Sequence, residues 1–120
     1  MRMDQQVYIV GACRTGIGAF RGQFSNISAT KLGGLTIQHA LERAGIPPDQ
    51  VSEVIMGQVL TGGQGLNPAR QASVNAKIPV SVPSSTVNMV CGSGLKAVCN
   101  GFASIKSGES IVVVAGGNIC

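Results

Sequence analysis

The sequence contains little charge and few aromatic residues. Charged residues make up 12% of the 120 residues and aromatic residues 3%, whereas hydrophobic residues reach 44%. A chain this apolar and this weakly charged is unlike a disordered segment. The net charge is +4, but the basic residues are scattered singly along the chain. Because no basic run with interleaved aromatic residues occurs, the sequence predicts no nucleic-acid-binding groove.

Long apolar runs and paired cysteines are also missing. The longest strongly apolar run, residues 111–115, is far too short to span a bilayer, and the first residues resemble neither a signal peptide nor a transit peptide. We therefore predict no membrane partner and a cytoplasmic protein, with mitochondrial and peroxisomal locations left open. The four cysteines lack the spacing of a zinc site and are too few for a disulfide scaffold, which predicts reduced thiols and no metal; they are Cys13, Cys91, Cys99 and Cys120.

Short apolar runs alternate with segments of helical periodicity. The runs predict strands at residues 7–10, 51–60, 85–90 and 111–115, and the periodic segments predict helices at residues 28–44, at 68–77 and from the residues after Cys91 to Gly108. Such alternation is typical of the α/β class, here a β-α-β-α-β-α-β unit with a mostly parallel sheet and helices on both faces. The last helix has one apolar face, formed by Leu95, Val98, Cys99, Phe102 and Ile105.

Helix ends are indicated by local residues. Gly45 and Gly108 follow the first and third predicted helices and can adopt the left-handed conformation that ends a helix. Asn67 can accept hydrogen bonds from the free amides of the second helix, and Pro68 suits the first helical position.

Cys91 lies where the third predicted strand meets the third predicted helix. Ligands gather at the carboxyl ends of parallel strands, and a helix N-terminus offers unpaired amides and the positive end of the helix dipole. The unpaired amides and the helix dipole both favour a thiolate. The amides can also stabilise an oxyanion on a carbonyl that the sulfur attacks. Gly92 and Gly94 lack side chains and would let a substrate approach. From the residues alone, a catalytic cysteine and a buried structural thiol both stay open.

The same segment also fits a dinucleotide-binding fingerprint, G-x-G-x-x-G/A, from Gly92 to Ala97. That interpretation predicts an acidic residue about 20 positions later, at the end of the following strand, where it would bind a ribose. The strand instead ends at Gly116-Gly117-Asn118. A dinucleotide-binding unit is therefore the weaker alternative.

Several motifs share their order and spacing with one family. The strongest are Val87-Asn88-Met89-Val90-Cys91-Gly92-Ser93-Gly94-Leu95-Lys96-Ala97-Val98 and Ile111-Val112-Val113-Val114-Ala115-Gly116-Gly117. Supporting matches are Ala12-Cys13-Arg14-Thr15, Val51-Ser52-Glu53-Val54-Ile55-Met56-Gly57 and Asn67-Pro68-Ala69-Arg70-Gln71-Ala72. From about residue 7 to residue 117, the chain resembles thiolases, most closely their acetyl-CoA C-acetyltransferase branch.

The resemblance implies that Cys91 is the nucleophile that attacks an acyl-CoA thioester, forming an S-acyl enzyme and releasing coenzyme A. The backbone N–H of Cys91 would contribute to an oxyanion hole. A second acetyl-CoA, deprotonated at its methyl group, would then attack the acyl group, and the reverse reaction is thiolysis of a 3-oxoacyl-CoA. The resemblance further implies coenzyme A thioesters as substrates without a bound cofactor or metal, a homo-oligomer, and a supporting role for residues 67–71 in which Arg70 is structural.

The chain departs from the family in what it lacks. Residues 1–120 correspond to a partial thiolase N-terminal domain, without the loop domain, the C-terminal domain or the family's Gly-His-Pro and Cys-x-Gly-Gly-Gly motifs. The fifth strand of this half-domain comes from beyond the loop domain in the family, so its loss predicts unpaired strand edges. His39, the one histidine, lies among polar residues and is interpreted as solvated. We expect the chain alone to be inactive; the alternative is a non-catalytic module that pairs with a full-length thiolase.

Overall fold

The computed structural model describes residues 5–117. All three predicted helices and the last three predicted strands are present. The first two of these strands are shorter than predicted, and the third has the predicted length but begins two residues later. No helix in this part of the chain has both the length and the apolar character needed to cross a membrane. The elements are α1 (Ala29–Ala44), a 3₁₀ turn (Pro48–Gln50), β1 (Glu53–Gly57), α2 (Pro68–Asn75), β2 (Ser84–Val87), α3 (Ser93–Ser107) and β3 (Val113–Gly117).

The three strands form one parallel sheet in the order β2-β1-β3. Ile55 in the central strand lies opposite Ser85 of β2 and Ala115 of β3. Helix α2 connects the neighbouring strands β1 and β2, and helix α3 connects β2 to β3 across the central strand; both are crossover connections of the kind that parallel strands require. The predicted α/β class with a parallel sheet is confirmed, and the carboxyl ends of all three strands lie at the same edge.

Different helices cover the two faces of the sheet. Alternate residues of a strand point to opposite faces, so Val54 and Met56 share one face and Gly57 belongs to the other. Val54 and Met56 join a buried cluster with residues of α1 and α2, whereas a Cβ on Gly57 would touch the backbone of Ser93 in α3. Helices on both faces are therefore confirmed. The buried cluster consists of Ile37, Leu41, Val51, Val54, Met56, Ala69, Ala72, Ala76, Ile78 and Val82.

The helix ends follow the local signals. Ser28 caps α1 by accepting a hydrogen bond from the Lys31 amide at 3.3 Å, and Gly45 ends the helix with a φ of 66°. At the start of α2, Asn67 Oδ1 accepts a hydrogen bond from the Arg70 amide, also at 3.3 Å. Gly108 ends α3 with a φ of 86°, a conformation that glycine adopts without steric cost.

The strand predicted at residues 7–10 is wrong, because this segment pairs with no strand in the described part of the chain. Tyr8, Ile9 and Val10 are 71%, 82% and 62% exposed. Further along the same segment, residues 12–15 line a cavity of about 250 Å³ together with residues 114–117 of β3. An apolar β-branched run becomes a strand only where a neighbouring backbone can pair with it.

Helix α3 packs on the sheet through small residues. Its buried residues include Ala97 and Gly101, and a Cβ on Gly101 would lie only 3.0 Å from Val113 Cγ1. The apolar face seen in the sequence points away from the sheet, since Leu95 is 70% exposed and Phe102 is 51% exposed. Small residues let the helix approach β1 and β3 closely, whereas large side chains of the apolar face stay exposed.

Candidate active site

Cys91 lies in the turn between β2 and α3, and its side chain is exposed. Strand β2 ends at Val87, and α3 begins at Ser93 with Gly92 as its N-cap residue. The structure thus places Cys91 at the junction that the sequence indicates, beyond the carboxyl end of a parallel strand. Its exposure argues against the alternative of a buried structural thiol.

The residue before the cysteine has a strained backbone. Val90 has a φ of 48°, in the left-handed region. For a β-branched residue this conformation is a genuine outlier that costs on the order of 1–3 kcal/mol, and it persists only where the surroundings impose it. The chain therefore turns sharply immediately before Cys91.

Side chains on either side of the turn bind its backbone. Asn88 Oδ1 accepts a hydrogen bond from the Val90 amide at 2.9 Å, and Asn88 Nδ2 donates to the Val59 carbonyl at 3.3 Å. Ser93 Oγ accepts from the Met89 amide at 2.9 Å and donates to the Val90 carbonyl at 2.6 Å. The sequence reasoning missed both Asn88 and Ser93. Short polar side chains two and three residues from a turn are the signal that could have indicated them.

Two amides at the start of α3 are used within the turn. The Gly92 amide donates to the Met89 carbonyl at 2.9 Å, and the Ser93 amide donates to the Val90 carbonyl at 3.1 Å. The first turn of α3 carries no acidic side chain, and Lys96 adds a positive charge near its start. The helix dipole is therefore not neutralised by a carboxylate, and the site is suited to an anionic group.

The end of β1 contacts the first turn of α3 directly. A Cβ on Gly57 would lie 2.6 Å from the Ser93 carbonyl oxygen and 2.7 Å from the Gly94 nitrogen. Gly94 faces the sheet, where a Cβ would lie 3.6 Å from Gly117 Cα. Gly94 thus lies against the end of β3, and its role in opening the site to substrate stays a prediction.

The segment from Asn67 to Gln71 connects α2 to the strand that leads to Cys91. Asn67 Nδ2 donates to the Ser84 carbonyl at 2.8 Å, and Thr86 Oγ1 donates to Asn67 Oδ1 at 2.8 Å. The Arg70 guanidinium donates to the Val82 carbonyl at 2.9 Å. Arg70 thus binds backbone next to β2, as the structural interpretation predicts.

The other chemically reactive side chains do not gather around Cys91. His39 Nδ1 lies 2.9 Å from Glu42 Oε2 on the exposed side of α1, where the two side chains are 50% and 57% exposed. The prediction of a solvated histidine is confirmed. Cys13 lines the cavity beside β3, and Cys99 is exposed on α3. Within residues 5–117, no group of three histidine, cysteine or acidic side chains could hold a metal ion.

Comparisons with known proteins agree on one family. Residues 7–118 match the family described as "Thiolase, N-terminal domain". The acetyl-CoA acetyltransferase of Cupriavidus necator is 57% identical over 111 residues, which cover 92% of this chain and 28% of that protein. The cytosolic acetyl-CoA acetyltransferase of Rattus norvegicus is 54% identical over the same shares of the two chains. The chain thus spans somewhat more than a quarter of the length of these relatives.

A solved structure supports the fold. The Acat5 thiolase from Ascaris suum, determined in complex with coenzyme A, is 40% identical and superposes with a TM-score of 0.90. The match covers 92% of this chain and 29% of that thiolase. Because residues 7–118 match the family and the relatives are this similar, the chain belongs to the thiolase family, and its match lies in the N-terminal domain.

Proposed function

We propose that this chain provides the nucleophile of a thiolase-type acyl transfer and that Cys91 is that nucleophile. The observation that carries the proposal is the exposed thiol of Cys91 at the start of α3, in a chain of the thiolase family. The names of the relatives favour acetyl-CoA as the acyl donor. Residues 1–120 would form part of the N-terminal domain of such an enzyme.

In the proposed first step, the Cys91 thiolate attacks the carbonyl carbon of acetyl-CoA. A carbon–sulfur bond to Cys91 forms as the carbonyl oxygen becomes an oxyanion. The backbone amide of Cys91 would help to stabilise it, since the Gly92 and Ser93 amides donate within the turn. The intermediate collapses, the bond to the coenzyme A sulfur breaks, and coenzyme A leaves as a thiolate that takes up a proton. The product is an S-acetyl cysteine.

The condensation step requires a base that removes a proton from the methyl group of a second acetyl-CoA. General acid–base catalysis contributes a factor of roughly 10² to 10⁴. His39 is engaged by Glu42 on α1, and no other histidine occurs in the sequence. We therefore propose that the chain alone undergoes acylation at most, and that condensation, thiolysis and assembly into a homo-oligomer belong to a complete thiolase. We propose coenzyme A thioesters as the substrates and no bound cofactor.

Mass spectrometry after incubation with acetyl-CoA tests the acylation step. We expect an acetyl adduct on Cys91 that disappears in Cys91→Ala. The matched control is Cys99→Ala, because Cys99 is also exposed and lies on the same helix but not at its N-terminus. An adduct that forms equally on Cys99, or none on a folded chain, would contradict the proposed role of Cys91. Acetoacetyl-CoA thiolysis by the chain alone that depends on Cys91 would contradict its proposed incompleteness.

A second candidate function is a non-catalytic module that pairs with a full-length thiolase. The outward apolar face of α3, with Leu95 and Phe102, favours it. Co-purification of the tagged chain with a full-length thiolase, lost in the double variant Leu95→Ser and Phe102→Ser, would support pairing. Absent co-purification would count against pairing, and co-purification that the double variant leaves unchanged would count against the α3 face as the pairing surface.

Two further expectations remain proposals. A cytoplasmic location is still proposed; the relatives include two proteins named cytosolic and one named mitochondrial. Dinucleotide binding is the weakest proposal, because the strand that follows ends at Gly116-Gly117 and supplies no acidic residue that could bind a ribose. Protection of the chain by NAD in thermal unfolding would be needed to support it.

A further inference from the structure

Two side chains form hydrogen bonds with the backbone of Val90 in the strained turn before Cys91, one with its amide and one with its carbonyl. The Val90 amide donates to Asn88 Oδ1 at 2.9 Å, and the Val90 carbonyl accepts from Ser93 Oγ at 2.6 Å. Among residues 5–117, the non-glycine residues with positive φ are Arg21, Asn67, Lys77 and Val90, and Val90 is the one with a β-branched side chain. The residue least suited to the left-handed region therefore adopts it where two side chains bind its backbone.

Each of these side chains also binds a second group. Asn88 Nδ2 donates to the Val59 carbonyl at 3.3 Å, in the loop that follows β1. Ser93 Oγ accepts from the Met89 amide at 2.9 Å, and Ser93 itself is only 4% exposed in the first turn of α3. The turn is thus connected through Asn88 to the β1 loop and through Ser93 to the helix.

From this geometry we propose that Asn88 and Ser93 are positioning residues for Cys91. They fix the φ of Val90, and because Cys91 follows directly, that φ sets the direction in which the cysteine Cβ and sulfur point. Their action passes through the Val90 backbone, and neither needs to contact the substrate. The proposal deepens and rests on the proposed role of Cys91 as the nucleophile. A misplacement of a reacting atom by about 1 Å can lower a rate by roughly 10²-fold, so such residues affect acyl transfer strongly.

The chemistry of the two side chains suggests discriminating variants. Ser93→Ala removes one donor and one acceptor together. Asn88→Ala removes both of its hydrogen bonds, whereas Asn88→Asp keeps the acceptor for the Val90 amide and loses only the donor to Val59. Val90→Gly removes the steric cost of a positive φ, and the Val90 side chain is 64% exposed, so little packing is lost.

The test compares two reactions of Cys91 in the full 120-residue chain, S-acetylation by acetyl-CoA and alkylation by iodoacetamide. We expect Ser93→Ala and Asn88→Ala to slow acetylation at least tenfold but alkylation less than threefold, because the small reagent needs no fixed direction of attack. Asn88→Asp should stay within threefold of the original rate. Adding Val90→Gly to Ser93→Ala should restore most of the acetylation rate. Equal slowing of both reactions, or no rescue by Val90→Gly, would overturn the proposal.

Crystal structures of the original chain and of Ser93→Ala separate this proposal from the proposed function. We expect Val90 to leave the left-handed region in the variant. If Val90 keeps a φ near 48°, positioning by Ser93 is refuted even where acetylation occurs. If the original chain is not acetylated, the proposed function of the chain fails, and the φ of Val90 in the variant still decides whether the hydroxyl holds the turn. If Ser93→Ala does not fold, Asn88→Ala replaces it, and a φ of Val90 that stays near 48° there would refute positioning by Asn88.

Discussion

The two faces of the sheet are covered in different ways. On the face covered by α1 and α2, large apolar side chains such as Ile37 and Leu41 are buried, and the outward side of α1 carries Glu42 and Arg43. On the face covered by α3, the buried helix residues are small, and the outward side carries Leu95 and Phe102 among other apolar residues. One helix is amphipathic in the usual direction, and the other is apolar on the side that faces away from the sheet.

By this difference, α1 has the composition of a helix at the protein surface, and α3 has that of a helix inside a protein. A helix that is apolar or small all round belongs inside a protein. The outward face of α1 meets water with charges such as Glu42 and Arg43, whereas the outward face of α3 exposes Leu95 and Phe102. The chain spans 28% of the Cupriavidus necator relative, so a complete thiolase contains ample further chain that could cover this helix.

Removing a large side chain from each face should produce the largest difference. Leu41 is 5% exposed and Phe102 is 51% exposed. We expect Leu41→Ala to lower the free energy of unfolding by about 2–5 kcal/mol, because it leaves a cavity, and Phe102→Ala to lower it by less than about 1 kcal/mol. Urea unfolding of both variants measures the contrast. Equal losses would mean that α3 buries its apolar face in solution.

The close contact between β1 and α3 should be sensitive to a single methyl group. Gly57→Ala places a Cβ against the backbone of Ser93 and Gly94, where no flexible side chain can move aside. We expect a loss of about 1–3 kcal/mol in the free energy of unfolding. Gly62→Ala is the matched control, because a Cβ at Gly62 meets no atom within 4 Å. A neutral Gly57→Ala would show that α3 lies farther from the sheet.

The helix ends should respond alike on both faces. Gly45 and Gly108 have φ values of 66° and 86°, and a Cβ on either meets nothing within 4 Å. We expect Gly45→Ala and Gly108→Ala each to cost about 1 kcal/mol, entirely from the left-handed backbone. Thermal unfolding compares the two variants directly. A much smaller loss for Gly108→Ala would indicate that the end of α3 is poorly formed in solution.

The outward face of α3 should affect association and leave stability almost unchanged. The double variant Leu95→Ser and Phe102→Ser should change the free energy of unfolding by less than about 0.5 kcal/mol per site and reduce binding of a hydrophobic dye and self-association. Leu35→Ser is the control, since Leu35 is 48% exposed on α1. Light scattering and dye fluorescence measure the effect. If Leu35→Ser reduced dye binding and self-association equally, the outward faces of α1 and α3 would not differ in how they associate.

Much of the candidate site could be predicted, but its supports could not. The two glycines after Cys91 and the helical periodicity of the next residues can be read from neighbouring residues. These signals predicted that the cysteine lies at a strand–helix junction. The left-handed Val90 and the hydrogen bonds of Asn88 and Ser93 went unpredicted, because a β-branched residue ordinarily avoids that conformation. A glycine at a helix start serves ligand approach and helix packing equally well on sequence evidence, so the contact of Gly94 with Gly117 went unpredicted.

The sequence by itself determined the helices, their ends, the parallel α/β class and the position of Cys91, because caps, periodicity and apolar runs act over a few neighbouring residues. Tertiary structure decided which face of α3 packs on the sheet, since small residues such as Ala97 and Gly101 allow closer approach than Leu95 and Phe102. It also decided that residues 7–10 form no strand. A strand needs a partner backbone within hydrogen-bonding distance, and only the three-dimensional arrangement supplies one or withholds it.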